Sequence, residues 1–175
     1  MKIPPIPDNE EERLKALYSY KILDTAEEKV FNTIVSLAAS ICDVPISSVT
    51  LIDKDRQWFK ASKGFEPGVR ETPREIAFCG HTILQDEFFE IKDATEDPRF
   101  EDNPSVTGAP HIVYYGGVPI LNPEGYKIGT LCVIDKKPRE LTDLQKVQIK
   151  YLSEIAMALM EAKKHMGEEL RAREA

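Results

Sequence analysis

Apolar positions change their spacing along the chain, and each change marks a change of element. The first run carries Leu14, Leu17 and Tyr18 on one side, behind Asn9 and the acids Glu10 to Glu12. That pattern predicts a helix with Asn9 as its cap and an acidic first turn. It ends before Leu23-Asp24. Thr25 and Glu28 have capping-box spacing and predict the start of a second helix. Val30, Phe31, Ile34, Val35, Ala38 and Ile41 recur along it at helical intervals, up to Val44-Pro45.

The period then falls to two. Residues 46–52 are β-branched and read as a strand, the polar run 53–56 as a turn, and 57–62 as a second strand. Residues 64–76 hold Gly64, Pro67, Gly68 and Pro73 and read as loop. A short helix is expected at 78–84, a short strand at 88–91, and a loop with one helical turn over 93–110. Strands at 112–120 and 127–134 flank the hairpin turn Asn122-Pro123-Glu124-Gly125.

The last segment returns to helical spacing. Thr142 can cap a helix over 143–171, along which Leu152, Ile155, Leu159, Ala162 and Met166 step by heptad intervals. Such a helix is about 40 Å long, more than a small sheet can cover, so the seam beyond Leu159 needs another surface. Residues 1–8 are rich in proline and read as an extended segment. Helices, antiparallel strands with loops between them, then a long helix make an α+β sandwich, in which helices cover one face of the sheet and loops the other.

Composition narrows the function classes. The chain has 175 residues and a net charge of -7, and an acidic surface argues against nucleic acid as the partner. Cys42, Cys79 and Cys132 are odd in number and widely spaced. They give neither a disulfide framework nor a zinc pattern, and reduced thiols are the simplest reading. No apolar run reaches the ~20 residues that span a bilayer and the N-terminus has no signal core. A cytoplasmic location is expected.

Several stretches together resemble one family: ERLKAL at 12–17, ILDT at 22–25, VTLIDKDRQWFKASKG at 49–64, ETPREIAFCGHTIL at 71–84, DATEDPRFEDNPSVTG at 93–108, YYGGVPI at 114–120 and GYKIGTLCVIDKKPREL at 125–141. They resemble the GAF domains of bacterial sensor kinases and diguanylate cyclases, over roughly residues 4–160. The resemblance implies a PAS-related antiparallel sheet of about six strands, with terminal helices on one face and a loop-roofed cavity on the other. It also implies a homodimer joined through terminal helices, and a small-molecule ligand that the family does not name. The implied role is a non-catalytic sensory domain of bacterial signal transduction, two-component systems included. Its helix would act on a C-terminal kinase or cyclase effector if the chain is a fragment. The domain would comprise residues 9–160, followed by a signalling-helix extension at 161–175. Many relatives carry arginine where this chain has Val113, so an anionic group held by that arginine is not expected here. No cofactor is named by any motif.

Five residues stand out as candidate ligand contacts: Trp58, Phe78, Cys79, His81 and Tyr114. Cys79 and His81 are two apart and offer a thiolate–imidazole pair or two metal ligands, although no third ligand is near. Set against that, cysteine is often a small buried residue. Trp58-Phe59 and Tyr114-Tyr115 are adjacent pairs on strands, so one of each pair faces the cavity. Asp53, Asp55 and Arg56 read as a solvated hairpin end in preference to a cation site, and Asp97-Pro98-Arg99-Phe100 as a loop clamp with Phe100 as plug. The rival function is a cysteine-dependent enzyme of the free methionine sulfoxide reductase type. Its cysteines occupy other motifs, and Cys42 and Cys132 read as core.

Overall fold

The computed structural model describes residues 1–174. Six strands form one antiparallel sheet: β1 (Ile46–Ile52), β2 (Arg56–Lys63), β3 (Glu71–Pro73), β4 (Phe89–Ile91), β5 (Tyr114–Leu121) and β6 (Lys127–Asp135). Their spatial order is β3-β2-β1-β6-β5-β4. Helices α1 (Glu10–Ser19), α2 (Lys29–Cys42) and α5 (Asp143–Glu174) cover one face. The other face carries α3 (Phe78–Thr82), α4 (Pro104–Thr107) and the long loops. Each face therefore has its own core. Leu17, Phe31, Ile34, Leu51, Leu131, Ile149 and Ala156 pack on the helix side. Ile52, Phe78, Phe100, Tyr115, Cys132 and Ile134 pack on the loop side.

The expected sandwich is present, with differences that have physical causes. Asn9 makes no side-chain bond to α1; the first turn is held by Glu10, whose carboxylate accepts from buried Arg13 at 2.6 Å and also pairs with Arg74. Tyr18 turns outward and donates to Asp53 at 2.6 Å. α2 starts at Lys29, not Thr25. The Thr25 hydroxyl donates to the Ile22 carbonyl and accepts from Lys60 Nζ at 2.9 Å, so it is not free to cap. Lys60 is the extra residue of a bulge in β2: Val49 faces Ala61 while Thr50 faces Phe59. The bulge turns this lysine to the helix side, where its buried ammonium also reaches the Ala26 carbonyl and Glu28. Within the expected loop 64–76, residues 71–73 pair with β2 as an edge strand.

α5 is one unbroken helix across 160–161, but burial divides it. Ile149, Leu152, Ser153, Ala156, Met157 and Met160 face the domain, and no later residue of the helix is buried. The expected heptad seam splits: Leu152 is buried and Leu159 half-buried, whereas Ile155, Ala162 and Met166 are exposed. Those three join Leu144, Val147, Tyr151 and Ala158 in an exposed stripe at helical spacing. Ala175, the last residue of the expected 161–175 extension, lies outside the described residues. No described helix is long and apolar enough to cross a membrane.

Candidate functional site

Strand alternation divides neighbouring side chains between the two cores. On β1, Ser48 and Thr50 face the loop side while Val49 and Leu51 face the helices. On β6, Cys132 and Ile134 face the loop side while Leu131 and Val133 face the helices. With Phe59 of β2 and Tyr115 of β5, these loop-side residues floor a cavity of about 250 Å³. Its roof comes from Phe65, Glu66 and Val69 after β2, Ile76, Phe78 and Cys79 around α3, and Ser105, Pro110 and Ile112 around α4. The walls are mostly apolar, and no lysine or arginine lines it.

Tyr115 reaches its place because glycine follows at the same-face position. A Cβ on Gly117 would lie 2.5 Å from the Tyr115 hydroxyl oxygen, so the ring folds back over a residue that has no side chain. Gly116 does the same for Tyr114 on the opposite face, with a 2.5 Å approach. Phe78 stacks on Phe100 with ring centroids 4.4 Å apart, and Phe100 is fully buried.

The polar groups of the floor and of α3 form two hydrogen-bonded sets. Ser48 Oγ lies 2.7 Å from Thr50 Oγ1 and 3.0 Å from Cys132 Sγ. Thr130 Oγ1 donates to Cys79 Sγ at 3.0 Å, and the Tyr115 hydroxyl donates to it at 3.2 Å. Thr82 Oγ1 is 2.7 Å from the same tyrosine oxygen. Burial pushes the Cys79 thiol up, but donors from Cys132, Thr130 and Tyr115 outweigh it and hold Cys79 below the ordinary thiol range. Cys132 goes the other way: its bond to Cys79, together with burial, raises it well above that range.

The five expected contacts divide. Phe78 and Cys79 line the cavity. Trp58 and Tyr114 do not: both belong to the helix-side core, and their neighbours Phe59 and Tyr115 take the cavity face. The Tyr114 hydroxyl instead donates to Glu90 at 2.8 Å, and Trp58 lies under the Arg70 guanidinium at 5.0 Å. His81 also leaves the set. Residues two apart on a helix point to different sides, and His81 lies edge-on to Phe100 at 4.9 Å, away from the cavity lining. Burial lowers it to about 4, so it is a neutral packing residue and no thiolate–imidazolium pair forms. The sequence reading places Cys132 in the core and singles out none of Ser48, Thr50 and Thr130, all of which lie on the cavity side of the sheet. The available signal was their parity with Ile46, Ile52 and Ile134, on strands apolar on both faces.

Arg56 occupies the charged hairpin end. It pairs with Asp24 at 2.8 Å, Asp53 at 2.9 Å and Glu71 at 3.1 Å, which leaves no open carboxylate pair for a cation. Arg99 closes on Asp97 at 2.7 Å, as the clamp predicts. Among the described residues, no group of three or more His, Cys, Asp or Glu is placed to hold a metal.

An open antiparallel sheet with helices on one face and a loop-roofed cavity on the other defines the class. The chain belongs to the GAF domain family, whose model matches residues 26–162. It is 39% identical over 159 residues to the cyclic di-GMP phosphodiesterase PA2567 of Pseudomonas aeruginosa. That alignment covers 90% of this chain and 27% of the relative, so the chain spans about a quarter of that protein. Among solved structures, it resembles the GAF domain of an Acinetobacter phosphoenolpyruvate-protein phosphotransferase, with a TM-score of 0.64 and 18% identity over 93% of this chain and 99% of the other. The blue-light absorbing form of the Thermosynechococcus elongatus PixJ GAF domain gives a TM-score of 0.64 at 13% identity, with 96% of each chain covered. These structural likenesses carry the fold alone.

Proposed function

We propose that this domain is a non-catalytic sensor that takes a small, uncharged, largely apolar molecule in the loop-roofed cavity. The observation that carries the reading is the lining: apolar walls, a floor of hydroxyls and thiols, and no cation. A phosphate ester or carboxylate buried there would have no charged donor to replace its hydration. An uncharged aromatic with one polar group can stack against Phe59, Phe65 and Phe78 and hydrogen-bond to Ser48 or Thr50.

The output side of the proposal is a homodimer through α5. The exposed stripe from Leu144 to Met166 lies opposite the buried face of the helix and offers a self-complementary apolar seam. The name of the Pseudomonas relative supports an effector in cyclic di-GMP turnover as the enzyme such a domain regulates. A cytoplasmic location fits this role.

Native mass spectrometry of the freshly purified chain tests both halves. The expected spectrum is a dimer, with added mass where a ligand is retained. A thermal-shift series then compares uncharged aromatics such as indole with carboxylated counterparts such as indole-3-acetate. Stabilisation by the uncharged members alone is expected, since a ligand that binds only the folded state raises its stability by mass action. A monomer at every concentration, or equal stabilisation by the anions, would overturn the reading.

A further inference from the structure

Two of the three cysteines line the cavity, one from the roof and one from the floor, and the third lies on the other side of the sheet. Cys79 is presented by α3 and Cys132 by the central strand β6, whereas Cys42 is in the helix-side core. Cys79 is held beside Cys132. Its sulfur is bonded at 3.0 Å to Thr130, two residues before Cys132 on the same strand face, and at 3.2 Å to the Tyr115 hydroxyl, which lies over Gly117, the residue that pairs with Cys132. Neither sulfur is open to bulk solvent, being 3% and 1% exposed, yet both line the cavity. A reagent must therefore be small, and an uncharged one enters without losing a tightly held hydration shell.

We infer that Cys79 and Cys132 are a reversible dithiol pair that hydrogen peroxide entering the cavity oxidises to a disulfide. Cys79 is the nucleophile, because the Thr130 and Tyr115 hydroxyls donate to its sulfur and stabilise negative charge there. Its thiolate attacks one peroxide oxygen. The S–O bond forms, the O–O bond breaks, and the leaving hydroxide takes up the proton that Cys79 gave up, giving a sulfenic acid and one water. The Cys132 sulfur then attacks the sulfenic sulfur. The S–S bond forms, the S–O bond breaks, and the departing hydroxide leaves as water with the Cys132 proton. Two thiols and one peroxide thus become one disulfide and two waters. A reducing dithiol reverses the change. The Ser48 hydroxyl, 3.0 Å from the Cys132 sulfur, is placed to orient the resolving thiol.

The proposal stands whether or not the cavity also takes a ligand. Its consequence for the domain is a covalent tie between α3 in the roof and β6 in the floor, which fixes the depth of the cavity between them.

Hydrogen peroxide on the purified full chain, followed by intact mass and thiol counting under denaturing conditions, tests it. The expected product is about 2 Da lighter, retains one titratable thiol at Cys42, and yields a linked peptide joining Cys79 to Cys132. Dithiothreitol restores the mass. In Cys132→Ser, the same treatment leaves Cys79 as a sulfenic acid that dimedone traps. In Cys79→Ser, no dimedone adduct forms at Cys132. Persistence of all three thiols in the wild-type chain, oxidation of Cys79 to a sulfinic acid with Cys132 intact, or a link through Cys42 would overturn the proposal. The wild-type measurement decides it even if either variant folds poorly.

Discussion

Replacing Gly117 with alanine tests the arrangement of the cavity floor through a single methyl group. The added Cβ would lie 2.5 Å from the Tyr115 hydroxyl oxygen, 2.9 Å from Cζ and 3.1 Å from Cε1. Ordinary van der Waals contact needs about 3.5 Å, so the ring must move by close to an ångström. Tyr115 is fully buried, and its hydroxyl is bonded to Thr82 and Cys79. Movement therefore breaks two hydrogen bonds, at about 1 kcal/mol each, and adds an overpacking cost of about 1–2 kcal/mol. The sum is about 3–4 kcal/mol, measured as a lower urea midpoint with an unchanged m-value. The decisive comparison is made in a Tyr115→Leu background. With the ring gone, the clash is gone, and the same glycine substitution should cost under about 1 kcal/mol there. Additive costs in the two backgrounds would refute the reasoning, because the methyl would then be acting through the strand ladder and not through the tyrosine.

His81 predicts a pH dependence. Burial lowers it from 6.5 to about 4, opposed by the hydrogen bond that the ring donates to the Lys2 backbone carbonyl. The folded state thus favours the neutral ring. The stability this contributes is complete above pH 6.5 and is lost as pH falls toward 4, by about 3 kcal/mol. Denaturant midpoints at pH 7 and pH 4.5 should fall less for His81→Gln than for the wild type, and an equal fall would count against the assignment. On α5, Ile155→Glu with Tyr151→Glu should raise the dimer dissociation constant at least about hundredfold, read by analytical ultracentrifugation, while the thermal midpoint of the domain stays unchanged. Leu152→Glu should lower that midpoint instead, because Leu152 is buried against the domain. Lys60→Met should cost about 2–4 kcal/mol by chemical denaturation, since it strands the Ala26 carbonyl and removes the ion pair to Glu28; a neutral result would show that the bulge serves no anchoring role.

The elements of the sheet were legible because their signals are local. β1 falls on the expected residues, and the hairpin at Asn122 to Gly125 is the expected one; there Asn122 accepts from the Glu124 and Tyr126 amides at 3.1 and 2.8 Å. What the sequence hid depends on partners far along the chain. Thr25 reads as a cap until Lys60, thirty-five residues away, takes its hydroxyl. Alternation says that one member of each aromatic pair faces the cavity, but not which. In β5 a clue was present: Tyr114 shares parity with Val118 and Ile120, and all three lie in the helix-side core. In β2 a bulge shifts the parity, and no residue announces it. The seam on α5 failed for a different reason. The helix is apolar on two sides, and spacing alone cannot say which side the domain takes.

Tyr114 and Tyr115 are consecutive residues of one strand, and they serve opposite faces of the sheet. Tyr115 touches the thiol and threonine of α3. Tyr114 donates to Glu90, whose carboxylate also accepts from the Leu141 amide at 3.1 Å and pairs with Lys146 in the first turn of α5 at 3.4 Å. The contact beneath the roof and the tether of the long helix thus leave the strand one peptide unit apart, and the foot of that helix is tied to Tyr114 through a single carboxylate.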